Sequence, residues 1–133
     1  MTQGLIKIDQ WGKIAKVSKD GNLPLPFVQE IFLFECEIAG TGFVKDIAAK
    51  AEALADGETV TLVREPDNKY DKMAIRIDNA AGEKLGYIPR QQNEIPARLL
   101  DGGKMLFAKV AGKEISEFSS WVNIFIRIYM KDL

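Results

Sequence analysis

Short blocks of alternating apolar and polar residues recur along this 133-residue chain, the mark of strands with one buried face. From residue 31 to 40 the run IFLFECEIAG sets Phe32, Phe34, Cys36 and Ile38 against Leu33, Glu35 and Glu37, and Gly40-Thr41-Gly42 ends it. ETVTLVREP sets Val60, Leu62 and Arg64 against Thr59, Thr61 and Val63. Pro66 terminates that block, because proline cannot donate to a strand ladder. MAIRID and KLGYIPR are predicted as two further strands around NAAGE, whose Asn79 and Gly82 supply the turn. MLFAKVAG and WVNIFIRIYM finish the chain as strands.

Two segments break into helical spacing. Ile47, Ala51, Leu54 and Ala55 predict a helix over residues 45 to 56, closing on Gly57 as a cap. In QQNEIPARLLDGG, Ile95, Leu99 and Leu100 share one helical face, Pro96 suits the first turn, and Gly102-Gly103 stops the element. Strands outnumber helices and are short, and no βαβ alternation is sustained. The expected fold is therefore mainly β with two helices (α+β), a small OB-like, partly open curved β-barrel. Near the N-terminus Trp11, Ile14 and Val17 have helical spacing, and GNLPLP reads as an extended connection. Residues 1–25 are thus an N-terminal extension of unclear structure, and residues 26–133 a single domain.

Composition narrows the chemistry. The formal net charge is −1, so no chain-wide basic field attracts nucleic acid, and any anion site must be local. The chain has no histidine and one cysteine, which removes the commonest general base, Ser/His and Cys/His hydrolase pairs, and standard structural zinc sites. Cys36, inside an apolar run, reads as an inert buried thiol. The charged N-terminal stretch lacks the apolar core of a secretory signal, and no apolar run of ~18 residues could span a bilayer, so a cytoplasmic protein is expected.

One stretch carries more chemistry than a turn needs: REPDNKYDKMAI, residues 64 to 75. A solvated loop in which Asp67 and Asn68 cap their own backbone is one reading. A calcium loop is a second, since Asp67, Asp71 and Asp78 occupy its first, fifth and twelfth places. It fails because the sixth place needs glycine and holds Lys72, while the third needs an oxygen ligand and holds Lys69. In the third, Tyr70 offers a flat face to a nucleobase, Lys69 and Lys72 face phosphate, and Asp71 accepts a hydrogen bond. A carboxylate repels a phosphodiester, so Asp71 fits only where the ligand presents a hydroxyl, as a strand terminus does.

The string LVREPDNKYDKMAIRIDNAAGEKLGYIPR, followed by a short helix ending in LLDGG, resembles the HIRAN domain family, most strongly over residues 62 to 103. That resemblance implies an OB-like fold that captures the 3′ end of single-stranded DNA. It implies that Tyr70 stacks on the terminal base, that Asp71 accepts from the free 3′-hydroxyl, and that Asp67 and Asn68 hold the end of the strand. It also implies phosphate contacts for Tyr87 and Arg90; Lys72, by its charge and place in the loop, is expected to offset phosphate charge with Arg90. The family's arginine and tyrosines before its Thr-Gly are replaced here by Ile38-Ala39-Gly40. Phe43 and Trp121 are the candidates for the missing second stacking platform.

The expected function is a non-enzymatic module, without cofactor or metal, that binds single-stranded DNA at its 3′-hydroxyl end in DNA repair or replication. A helicase or nuclease is the expected kind of partner protein. No membrane partner is expected, and homo-oligomerisation and the choice of DNA or RNA stay open. The alternative is a protein-interaction or structural module of the same family that has lost DNA binding. A metal-assisted nuclease built on Asp67 and Asp71 ranks last, since lysines stand where oxygens are needed.

Overall fold

A computed structural model describes the backbone of residues 6–8, 14–17, 24–25, 29–118 and 121–132, and side chains from residue 29 onward. Two compact units divide at Ile31/Phe32 and Met130/Lys131. The first contains a three-stranded antiparallel sheet of β1 (Ile6–Ile8), β2 (Ile14–Val17) and β3 (Pro24–Leu25), in that order. Ile14–Val17 is therefore a strand and not the helix its spacing suggests. Cross-strand pairing of Ile6 with Lys16 and of Lys16 with Leu25 overrides a local pattern only two turns long. Trp11 lies outside the described residues.

The second unit is built on a six-stranded antiparallel sheet in the order β4 (Gln29–Glu37), β9 (Val122–Asp132), β8 (Met105–Ile115), β5 (Thr59–Arg64), β6 (Ile75–Asp78), β7 (Lys84–Tyr87). Its two ends touch. Just beyond β4, Ala39 forms an isolated antiparallel bridge with Tyr87 of β7, through Ala39 N to Tyr87 O at 2.8 Å and Tyr87 N to Ala39 O at 2.9 Å. The sheet thus curls into a small OB-like barrel joined at one point and otherwise open, as the alternation predicts. Its interior is filled by Val60, Ile75, Ile77, Leu85, Ile124, Ile126 and Ile128, all fully buried. Burying each such side chain contributes roughly 1.5–3 kcal/mol, which is why the strands alternate as they do.

Two helices complete the unit. α1 (Ile47–Ala53) follows a 3-10 turn at Thr41–Phe43 and buries Ile47 and Ala51. It is shorter than residues 45 to 56, because Leu54 is already extended and buried in the core; Gly57 serves instead in the turn into β5. α2 (Glu94–Asp101) follows a 3-10 turn at Arg90–Gln92. Its buried residues are Pro96 and Ala97, with Leu100 half-buried against the core, while Ile95 is 72% exposed, so of the predicted Ile95, Leu99 and Leu100 face it is Ile95 that turns to solvent. The β4 pattern is corrected at one end, where Cys36 and Ile38 are buried but Phe32 is exposed. Burial, with Glu35 beside it, pushes the Cys36 thiol up to about 11, as an inert thiol requires.

Lys113 of β8 closes the short helix. Its Nζ donates to the carbonyls of Ala51 (2.9 Å), Glu52 (2.8 Å) and Leu54 (2.6 Å), a positive charge at the negative end of the helix dipole. Lys113→Met keeps the apolar stem and removes the charge. It is expected to cost about 1–2 kcal/mol, concentrated in α1. Hydrogen exchange should report faster exchange at the α1 amides, and unchanged protection there would remove Lys113 from this role.

Candidate nucleic-acid interface

The loop between β5 and β6 is shaped by its own polar side chains. Asn68 Oδ1 accepts from the backbone amides of Tyr70 at 2.9 Å and Asp71 at 3.1 Å, an Asx-type turn. Asn68 Nδ2 donates to Glu65 Oε1 at 3.0 Å, and Glu65 N bonds Ala74 O, which pins the loop at its base. A turn held this tightly through Asn68 leaves the Tyr70 ring with nowhere to pack, and it stands 84% exposed.

That ring borders a cleft of about 610 Å³ at the seam of the barrel. The floor is apolar, made by Ala39, Ala74 and Ile88; Phe43 and Tyr70 stand at its rim, with Gly40, Asn68, Asp71, Lys84, Tyr87 and Arg90 completing the lining. Phe43 is 96% exposed because the 3-10 turn at Thr41–Phe43 projects it away from the core. Of the residues singled out from the sequence, Asn68, Tyr70, Asp71, Tyr87, Arg90 and Phe43 converge here. Asp67 and Lys72 do not. Asp67 borders a shallower depression with Arg64, Glu65 and Arg76, and Lys72 is exposed outside both linings. Trp121 is half-exposed and outside the cleft lining.

The polar groups of the cleft are engaged with one another. Asp71 Oδ1 accepts from Met73 N at 2.9 Å, Oδ2 accepts from Asn93 Nδ2 at 2.7 Å, and Arg90 Nε lies 3.6 Å from Oδ2. Partial burial pushes the Asp71 carboxyl upward, but the Met73 amide, Asn93 and Arg90 together outweigh it and hold the group below the usual aspartate range. Oδ2 faces both Asn93 and Arg90, whereas Oδ1, bonded to the Met73 amide, retains one accepting direction. Arg90 also donates to the Tyr70 carbonyl, so the guanidinium braces the loop as well as facing the cleft.

Tyr87 lines the cleft with its ring, below Lys84 Nζ at 4.6 Å from the centroid, while its hydroxyl donates to Glu65 Oε1 at 2.8 Å. Glu65 is held ionised: burial acts against it, and Asn68, Tyr87, Arg76 and Lys84 prevail. Arg76 links Glu65 (3.1 Å) to the buried Asp78 (2.8 Å), so Asp78 is committed to an ion pair. Asp67, Asp71 and Asp78 therefore do not converge. Among the described residues no group of three or more acidic, cysteine or histidine side chains is placed to hold a metal. Arg64 lies outside the cleft lining. It forms a bidentate pair with Asp101 at the end of α2, at 3.0 and 3.2 Å, and donates to Ala74 O.

Two contributors escaped the sequence reading. Lys84 stands in a strand where an exposed lysine is unremarkable, and Asn93 precedes a helix where asparagine normally signals a cap. Neither carries a local signal for the cleft.

Similarity to known proteins follows the same boundaries. Over 46 residues, 35% of this chain, the sequence is 41% identical to the helicase-like transcription factor of Mus musculus and 39% identical to that of Oryctolagus cuniculus. The matched stretch spans only 5% of the length of those relatives. A crystal structure of a protein from Lactobacillus plantarum superimposes with a TM-score of 0.70 at 29% identity, covering 80% of this chain and 100% of that one. The crystal structure of the HIRAN domain of human HLTF shares the fold, with a TM-score of 0.59 at 17% identity over 77% of this chain and 78% of that one. No helix among the described residues is long and apolar enough to cross a membrane. The model of the HIRAN domain matches residues 31–131, all but the outermost residues of the six-stranded barrel, and the chain belongs to the HIRAN domain family.

Proposed function

We propose that this protein is a non-enzymatic module that binds the 3′-hydroxyl end of single-stranded DNA in the cleft at the barrel seam. It would act in the cytoplasm, in DNA repair or replication, alongside a helicase or nuclease. The observation that carries this reading is the meeting of two exposed aromatic faces, Phe43 and Tyr70, over an apolar floor, with a carboxylate and two cations at the edge. A nucleobase stacks between or against such faces, each contact contributing roughly 1–3 kcal/mol whatever the base. Asp71 accepts the terminal hydroxyl through an oxygen that has a free accepting direction, and Arg90 and Lys84 meet the phosphate behind it.

The experiment is a fluorescence-anisotropy titration with one oligonucleotide bearing a 3′-hydroxyl and a second bearing a 3′-phosphate. The hydroxyl end is expected to bind about tenfold more tightly, the worth of one hydrogen bond to a charged group plus the avoided repulsion. With two cations at the cleft, log K should fall with log salt at a slope of about −1.4. Equal affinity for both ends would remove Asp71 from its role. No binding to either end would favour the alternative, a protein-interaction module, to which the exposed Phe118 and Trp121 beside the β8–β9 turn give a surface.

A further inference from the structure

Asparagine before a helix ordinarily turns its side chain inward to satisfy the first free amides. Asn93 stands at the N-cap of α2, yet its side chain makes no capping bond. It reaches instead into the loop between β5 and β6, where Nδ2 donates to Asp71 Oδ2 at 2.7 Å. Asn93 is only 2% exposed. A buried amide costs free energy unless it is bonded, and here the bond goes to a carboxylate at the cleft and not to the helix it precedes. With Met73 N on Oδ1, both oxygens of Asp71 are then fixed from opposite sides, one by its own loop and one by α2.

We propose that Asn93 is the positioning residue of this site: its buried amide holds Asp71 in one orientation and in its charged form, so that a terminal hydroxyl is accepted and a terminal phosphate rejected, a role that rests on the end-binding reading above. An amide suits the task because it donates without charge. A second carboxylate at the same place would share a proton with Asp71, and a protonated Asp71 donates to a phosphate oxygen where the ionised form repels it. The groups facing Asp71 are Arg90 from the 3-10 turn, the Met73 amide from its own loop and Asn93 from α2. None of these is a carboxyl, so a pH dependence introduced at position 93 belongs to the pair with Asp71.

Two variants separate positioning from mere helix capping. Asn93→Ser retains a good cap residue but is too short to reach Asp71, and Asn93→Asp places a carboxylate opposite it. Two quantities are read in the full chain: the Asp71 carboxyl titration by NMR without ligand, and the ratio of affinities for 3′-hydroxyl and 3′-phosphate oligonucleotides at about pH 5 and about pH 8. The unmodified protein gives the reference ratio at each pH, because the terminal phosphate itself gains charge near about pH 6. In Asn93→Ser the Asp71 titration should move upward and the ratio fall by about threefold or more, with the melting temperature retained. In Asn93→Asp the titration should move upward by about one unit or more, and at the lower pH the hydroxyl preference should be about tenfold below that of the unmodified protein at the same pH. An Asp71 titration that stays in place in either folded variant overturns the proposal, as does a wild-type ratio in both. If the unmodified protein shows no preference for the hydroxyl end, end binding itself fails, and the ligand-free titration alone decides whether Asn93 positions Asp71.

Discussion

Replacing Gly86 by alanine is expected to lower the melting temperature by roughly 10 °C and to impair oligonucleotide binding with it. A Cβ at position 86 would lie 2.4 Å from Ala39 O and 2.5 Å from Ile38 Cγ2. Neither neighbour can yield cheaply. Ala39 O accepts one of the two hydrogen bonds that join the ends of the curled sheet, and Ile38 is 2% exposed in the core. Relieving the overlap means prising Ala39 away from Tyr87, at a cost of about 3 kcal/mol or more from overpacking and lost backbone bonds. Ala39, Gly40 and Tyr87 all line the cleft, so the same displacement widens the site. Gly82→Ala is the control: no atom lies within 4 Å of a Cβ there, and only its positive φ of 81° is strained. Its effect should be about 1 kcal/mol with binding intact. Calorimetry and titration of the two variants decide the matter, and a Gly86→Ala protein melting within about 2 °C of the parent would refute the closure argument.

The second large effect is expected on binding without any on folding. Tyr70→Ala and Phe43→Ala should each weaken binding of a short 3′-hydroxyl oligonucleotide by roughly 1–3 kcal/mol, about fivefold to 150-fold. Both rings are more than four-fifths exposed, at 84% and 96%, so their removal forfeits little packing and the melting temperature should hold. The pair also tests how this chain manages with Ile38-Ala39-Gly40 where the resemblance implies aromatics. Ile38 is committed to the core and Ala39 to the seam, so neither can serve as a platform. If Phe43 has taken over, its loss should rival that of Tyr70. A Phe43→Ala protein with parental affinity would assign stacking to Tyr70 alone, and loss of neither ring mattering would empty the cleft of its proposed ligand.

Much of the barrel was legible because its signals are local. Alternation marked β5 through β9, Pro66 and the Asn79–Gly82 turn bounded them, and the pattern REP, YDKMAI, GYIPR marked the cleft loop and its neighbouring strand. Where local signals were weak, they misled. Three apolar residues at helical spacing could not compete with cross-strand pairing at Ile14–Val17. Ile95 looked like the inner face of α2, yet close packing of that helix on the sheet admits Pro96 and Ala97 and leaves the larger side chain in solvent.

By itself, then, the sequence determined which segments from β4 to β9 are strands, where the charged turn falls, and that Tyr70 and Asp71 share it, since backbone preference and turn chemistry act over a few residues. Only the tertiary structure decided which side chains meet. Gly86 must be glycine because Ala39, 47 positions earlier, passes against it, and Asp71 is anchored by Asn93 from another element. Arg64 leaves the loop for Asp101 while Phe43, as apolar as any core residue, is turned out to the cleft. Burial and the choice of hydrogen-bond partner depend on segments brought together by folding, and no spacing along the chain encodes them.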